Sequence, residues 1–379
     1  MSPTAPSGFA AALPFWLSLV MVPLVVIGAL QGGLSVLLVP LYGYGLFSVL
    51  DHLLGLDPTN RDIQTGDNAL FWHRAVTLIW PLLQFLTLFW VIWYASHADH
   101  LGILETIVLF YGVGTMTGAI GIVYSHELMH QRTKTERWMA DVLLSMVLYS
   151  HFRTEHLLVH HTHVATPRDA VTARYNEGFP HFFARVMREC PRSAWAAEVD
   201  RLHKRGRTAL DRSNPFWRYA ALQAAMLLLA IGLGGVTGLV LFLFQALVAI
   251  WLLELTDYIE HYGLTRKYLG NGKFEHVKPH HSWNATHTAT NWLLINLQRH
   301  SDHHARPDRR FPLLQARSGQ EAPQLPHGYP IMAMMAMMAM IPSLWRRRMN
   351  PRVRKWRAMY YPEITDWRPY KAGTHRDLS

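Results

Sequence analysis

The sequence predicts an all-α integral membrane protein: six transmembrane helices in three hairpins, with a histidine-rich region on the cytoplasmic side. Three observations predict it. Half of the 379 residues are apolar and gathered into long runs, where a soluble chain of this length would form two mixed domains. Charged residues make up 16%, well under the ~25% typical of globular proteins. All 36 Lys and Arg residues fall on one side of a single membrane topology, as the excess of basic residues in cytoplasmic loops requires.

A spanning helix needs ~20 mostly apolar residues, and six stretches approach that length: 9–30, 34–50, 75–95, 101–124, 216–232 and 236–255. The first is read as a retained anchor, since residues 1–8 lack the positive start of a cleavable signal. It contains Pro14 and Pro23, and the second run ends near Pro40, so kinks are expected there. The turns within the hairpins are Gln31-Gly32-Gly33, residues 96–100 and residues 232–235, and none holds a basic residue. Placing these turns outside puts both termini inside, with segments 51–74, 125–215 and 256–379. Fourteen basic residues then fall in 125–215 and nineteen in 256–379, leaving Arg61, Arg74 and Arg218 at the same face.

A seventh apolar run, 331–345, is short, interrupted by Pro342 and followed by Arg346-Arg347-Arg348. It is expected to be an interfacial or half-buried helix with a basic anchor. A seventh span would throw the basic tail outside. Nothing repeats at a solenoid period, so residues 1–379 read as one membrane-embedded domain. The net charge of +10, placed this way, suits lipid headgroups rather than nucleic acid. The lone Cys190 excludes an internal disulfide and a four-cysteine metal site. Any metal must rest on His, Asp or Glu.

Histidines are concentrated where such a site would lie. His126-Glu127-Leu128-Met129-His130 closes the fourth span with two histidines four apart, on one helix face. Glu155-His156-Leu157-Leu158-Val159-His160-His161 repeats that pair and adds a neighbour, and His300-Ser301-Asp302-His303-His304 gives spacings of three and four. Glu260-His261-Tyr262-Gly263 follows the sixth span, with His261 alone in sequence. Nine imidazoles are too many for one tetrahedral ion and favour a pair of metals with open positions. Glu155, Glu260 and Asp302 each adjoin a histidine, where a carboxylate can accept the ring's second N–H. The first cluster by itself also reads as a zinc protease motif with Glu127 as general base, and dense histidines can also sense pH.

These residues resemble the membrane-bound alkane 1-monooxygenase (alkane omega-hydroxylase) family of the fatty acid desaturase-like superfamily. Leu297-Gln298-Arg299-His300-Ser301-Asp302-His303-His304-Ala305 is similar to its third histidine box, and Tyr258-Ile259-Glu260-His261-Tyr262-Gly263-Leu264 to its additional motif. Pro279-His280-His281-Ser282-Trp283-Asn284 also looks familial, and the resemblance runs from about Asp51 to Leu314. It implies two iron ions held by His126, His130, His156, His160, His161, His261, His300, His303 and His304. It implies oxygenation of a terminal C–H bond of a hydrocarbon by O2 and no catalytic nucleophile beyond the metal centre. Electrons would come from rubredoxin and rubredoxin reductase as separate chains, at the inner membrane of a bacterium. A desaturase or a hydroxylase of alkylaromatic or acyl substrates is the alternative on the same scaffold. Three departures stand out: Gln131 where Lys is usual, Val159 for Gly and Asp257 for Asn. None removes a ligand, and Val159 bears chiefly on cavity shape.

Overall fold

The computed structural model of the chain describes residues 8–338, 342–367 and 370, and it is mostly helical. Among these residues five helices are long and apolar enough to cross a membrane: Phe9–Gln31, Gly33–Leu54, Phe71–His97, Ile103–Met129 and Pro215–His261. The last has 47 residues, which at ~1.5 Å each is ~70 Å, more than twice a ~30 Å hydrocarbon core. It breaks at Gly235, whose φ of 58° and ψ of −141° are not helical. A Cβ on Gly238 would run into the carbonyl of Ala230, eight residues back and ~12 Å away along an unbroken helix. The chain therefore doubles back at the expected turn, and the fifth and sixth expected runs share this one element.

Other boundaries moved for physical reasons. The run expected at 101–124 continues to Met129 through a π-helical turn, Thr117–Ile122. Its polar end stays helical because Ser125, His126 and Glu127 are buried against neighbours rather than released to water. Pro14 lies in a 3-10 stretch, Leu13–Val20, and Pro40 precedes a π turn, Leu41–Leu46. The run expected at 331–345 is divided between helices Tyr329–Met338 and Pro342–Tyr360, and its residues 339–341 lie outside the described residues. Its first half is a half-buried helix: Met332 and Ala336 are fully buried, while the residues around them are only partly covered. The second helix buries Trp345, Met349, Val353 and Trp356 and leaves Arg346, Arg347 and Arg348 exposed.

Close backbone approach sets the crossing of the fourth span on the long helix. A methyl group on Gly114 would lie 2.5 Å from Val248 Cβ, and one on Gly118 2.8 Å from Ala249 Cα. Small residues four apart allow this contact, and the Thr117 hydroxyl locks it by donating to Gln245 Oε1 at 2.8 Å. The helices that carry His126 and His261 are thereby fixed side by side. Against their ends lies a layer in which the segment 152–163 and the short helix His300–Ala305 bring further histidines to His126 and His261. Arg310 clamps this layer, bonding Asp67 Oδ1 and Glu136 Oε1 at 2.8 Å each.

Candidate metal centre

All nine histidines singled out in the sequence meet here, in two adjoining groups. His126, His130, His156, His161 and His303 form one, and His160, His261, His300 and His304 the other, each with its donor atoms within 4.8 Å. The rings of His161 and His304, one from each group, have centroids 4.8 Å apart.

The sorting differs from the one the spacing suggests. Residues His156–His160 form a π turn, in which the His161 N–H bonds the carbonyl of His156. The wider π turn brings His161 beneath His156, Nε2 to Nε2 at 2.9 Å, and swings His160 to the other group. The helix His300–Ala305 likewise sends His300 and His304 one way and His303 the other. Just before it, Ile295 and Asn296 sit at φ 43° and 59°, a costly conformation for a β-branched residue of the kind that gathers at functional sites.

The donor set fits metal ions. Nε2 pairs stand 3.1 Å apart for His130–His156 and His161–His303, 3.2 Å for His261–His300 and 2.9 Å for His300–His304. Donors at right angles around an ion with ~2.1 Å bonds sit ~3.0 Å apart, against ~3.4 Å around a tetrahedral one. Hydrogen bonding cannot account for the set, since the single Nε2 of His156 faces two others and neutral imidazole has one N–H. The buried Nε2 atoms of His126 and His160 have no hydrogen-bond partner among the described residues. His130, His156, His161, His300, His303 and His304 are held well below the usual imidazole pKa, first by burial and then by one another, so they stand neutral, as ligands must. Five imidazoles in one group also exceed the four donors of a zinc protease site.

The carboxylates expected to hold ring N–H groups behave differently. Asp302 bonds Arg309, Arg317 Nη2 at 2.7 Å and the Gln315 N–H at 3.0 Å, tying down the following loop. Glu155 is buried beside Cys190 and raised above the usual carboxylate range, first by burial. Glu260 approaches the Nε2 of His300, at 3.3 Å, which is the metal-facing nitrogen and not the ring's second N–H. That service falls instead to Asp169, whose Oδ2 accepts from His160 Nδ1 at 3.0 Å and from the Thr172 hydroxyl at 2.7 Å. Burial alone would raise Asp169, yet His160 and these bonds bring it down to about 2.

An apolar cavity of about 690 Å³, counted out to its open mouth, runs between the spans beside Thr115, Gly118, Leu253 and Tyr329. A smaller one of about 320 Å³ touches His126, His156 and His300. Val123, Leu253, Thr256 and Leu297 line both, so the two apolar cavities adjoin, one between the helices and one against the histidines.

Residues 103–335 match the family model Fatty acid desaturase. The chain is 39% identical over 359 residues to alkane 1-monooxygenase 2 of Alcanivorax borkumensis, covering 90% of each, and 38% identical over 328 residues to alkane 1-monooxygenase 2 of Pseudomonas aeruginosa, covering 85% of each. The chain belongs to the alkane 1-monooxygenase family. It is similar, at 27% over 246 residues, to the xylene/toluene monooxygenase hydroxylase component of Pseudomonas putida, covering 65% of this chain and 64% of that one. An alkane 1-monooxygenase family member is an oxidoreductase, and the histidines just described form a cluster suited to a metal site.

Against the family pattern, Gln131 holds Glu127, donating to its Oε1 at 3.0 Å. Val159 is buried but lines neither of the two cavities, so its bulk acts away from them. Asp257 lies with Glu260 and His261 within 4.8 Å. Sequence reasoning missed Asp169 and Tyr329, which bonds Glu260 Oε1 at 2.5 Å. Neither sits within a helical turn of its partner, and no spacing rule reaches them.

Glu275, His280 and His281 form a separate group. The Lys278 N–H donates to His281 Nδ1 at 2.9 Å, so the His281 proton rides on Nε2, facing the Tyr361 hydroxyl at 2.7 Å, while Tyr361 also meets Glu275. This is a closed hydrogen-bond set that anchors the C-terminal helix.

Proposed function

We propose that this monooxygenase converts alkanes to primary alcohols, with two irons held by His126, His130, His156, His161 and His303 and by His160, His261, His300 and His304. One observation carries the reading: two adjoining imidazole groups stand against an apolar cavity that adjoins a larger one between the helices. The chemistry that a pair of irons supplies is activation of O2, with the balance R–CH3 + O2 + 2 e⁻ + 2 H⁺ giving R–CH2OH + H2O.

The chain's own residues do the rest. An alkane has no polar handle, so Val123, Leu253, Thr256 and Leu297 select it by shape and deliver one end to the histidines. Burial excludes water, and Asp169 fixes the His160 tautomer with Nε2 free to bind metal. Electrons come from a separate chain, since Cys190 is the sole cysteine; we assign rubredoxin, reduced by its reductase. Exposed Arg132 and Arg306 follow His130 and His304 by two residues and suit a small acidic carrier. In this reading the whole chain is one domain of six spans in the inner membrane, with both termini cytoplasmic.

The test is turnover in membranes supplied with rubredoxin, its reductase and ¹⁸O2. Terminal alcohols carrying one ¹⁸O are expected from alkanes, and His304→Ala is expected to lose both iron and product. Full activity in His304→Ala rejects the site. Similarity to the xylene/toluene enzyme component favours a second reading, oxidation of alkylaromatic methyl groups, and it prevails if p-xylene is turned over and alkanes are not.

A further inference from the structure

The two histidine groups are unequal, five donors against four. Resting on the reading that iron occupies both, we propose that Glu260 is a tenth donor, a carboxylate completing the four-histidine group, and that Tyr329 is the residue that positions it.

Three observations carry this. Glu260 Oε2 lies 3.3 Å from His300 Nε2, and that same nitrogen stands 3.2 Å from His261 Nε2 and 2.9 Å from His304 Nε2. One ring N–H cannot serve three acceptors, whereas a metal ion held at His300 Nε2, within reach of Glu260 Oε2, removes the conflict. The other carboxyl oxygen is turned away and held: Tyr329 donates to Oε1 at 2.5 Å, and the Tyr329 N–H is itself fixed by Gln298 Oε1 at 3.0 Å. Both side chains are buried, at 2% and 3% exposure, so the bond is no surface accident. Charge argues the same way. Neutral imidazoles bring no charge to two buried cations, and an ion's own charge dominates its surroundings. Glu260 lines the smaller cavity and Tyr329 the larger, so the pair also sits where substrate would reach the metal.

The experiment compares ⁵⁷Fe-loaded, detergent-purified wild type, Glu260→Gln and Tyr329→Phe by iron count, Mössbauer spectrum of the reduced protein and rate of iron loss to a ferrous chelator. Two irons are expected in the wild type. Glu260→Gln should alter the signal of one iron while leaving the other, and should speed loss of that iron ~10-fold or more. Tyr329→Phe should hold two irons and shift the same signal by less. If Glu260→Gln fails to fold, Tyr329→Phe decides. Two irons in every protein with superimposable spectra overturn the assignment of Glu260 alone, and fewer than two in the wild type overturn the reading of the whole centre.

Discussion

Replacing Asp169 by Asn changes one atom and should empty half the metal centre. Asp169 Oδ1 accepts the Val171 N–H at 3.0 Å, while Oδ2 faces His160 Nδ1 at 3.0 Å and the Thr172 hydroxyl at 2.7 Å. An asparagine keeping its oxygen on Val171 turns its NH2 toward His160. Two donors then meet, and the ring relieves the conflict by moving its proton to Nε2, the nitrogen that faces the other three histidines. A protonated Nε2 cannot bind metal. Loss of such a partner typically costs 10–100-fold in metal affinity, or ~1.4–2.7 kcal/mol at 1.36 kcal/mol per tenfold. Because His160 belongs to the four-histidine group, one iron should weaken and the other stay. The assay is chelator competition followed by metal analysis: Asp169→Asn should retain about one iron under conditions where the wild type retains about two. Equal retention of both irons, with wild-type turnover, would refute the role of Asp169.

Three further outcomes are expected. Gly118→Ala places its methyl 2.8 Å from Ala249 Cα and should cost ~1–3 kcal/mol by overpacking, read as a lower unfolding midpoint in detergent together with reduced iron content. Leu253→Trp, filling the stretch shared by the two cavities, should abolish hydroxylation while both irons remain; iron loss in parallel would mean that the site itself was disturbed. On pH, a histidine held neutral by burial, such as His156 or His304, has a folded pKa below its free value of 6.5. Its stabilising contribution is complete above 6.5 and falls as pH drops below that, where the unfolded chain binds more protons. Iron release should therefore have its midpoint below pH 6.5, and a midpoint at or above 6.5 counts against buried neutral ligands.

What the sequence made legible follows the reach of its own periodicities. Apolar runs of ~20 residues mark spans, and they located the helices, because bilayer thickness is a one-dimensional constraint written along the chain. The reversal at Gly235 was legible too, as a turn between two such runs. The polar end of the fourth span was legible only in part: the spacing of His126 and His130 put both on one helix face, but the apolar run stops at 124, and burial by partners distant in sequence is what keeps Ser125 to Glu127 helical. The Met-Ala stripe at 332–337 was ambiguous for the same reason, since composition cannot say whether an apolar face meets lipid or protein.

The site divides along the same line. Spacings of three and four brought the histidines into clusters, but that inference assumes 3.6 residues per turn. At His156–His160 the backbone closes its hydrogen bond over five residues instead of four, and that wider turn is enough to exchange His160 for His161 between the two groups. Since π turns favour functional sites, the ordinary helical rule fails where it is most wanted. Nothing local encodes Asp169 or Tyr329, whose partners His160 and Glu260 lie nine and sixty-nine residues away. Clustering of the histidines is therefore a property of the sequence, while their division into two groups, and the side chains that fix each ring, are properties of the fold.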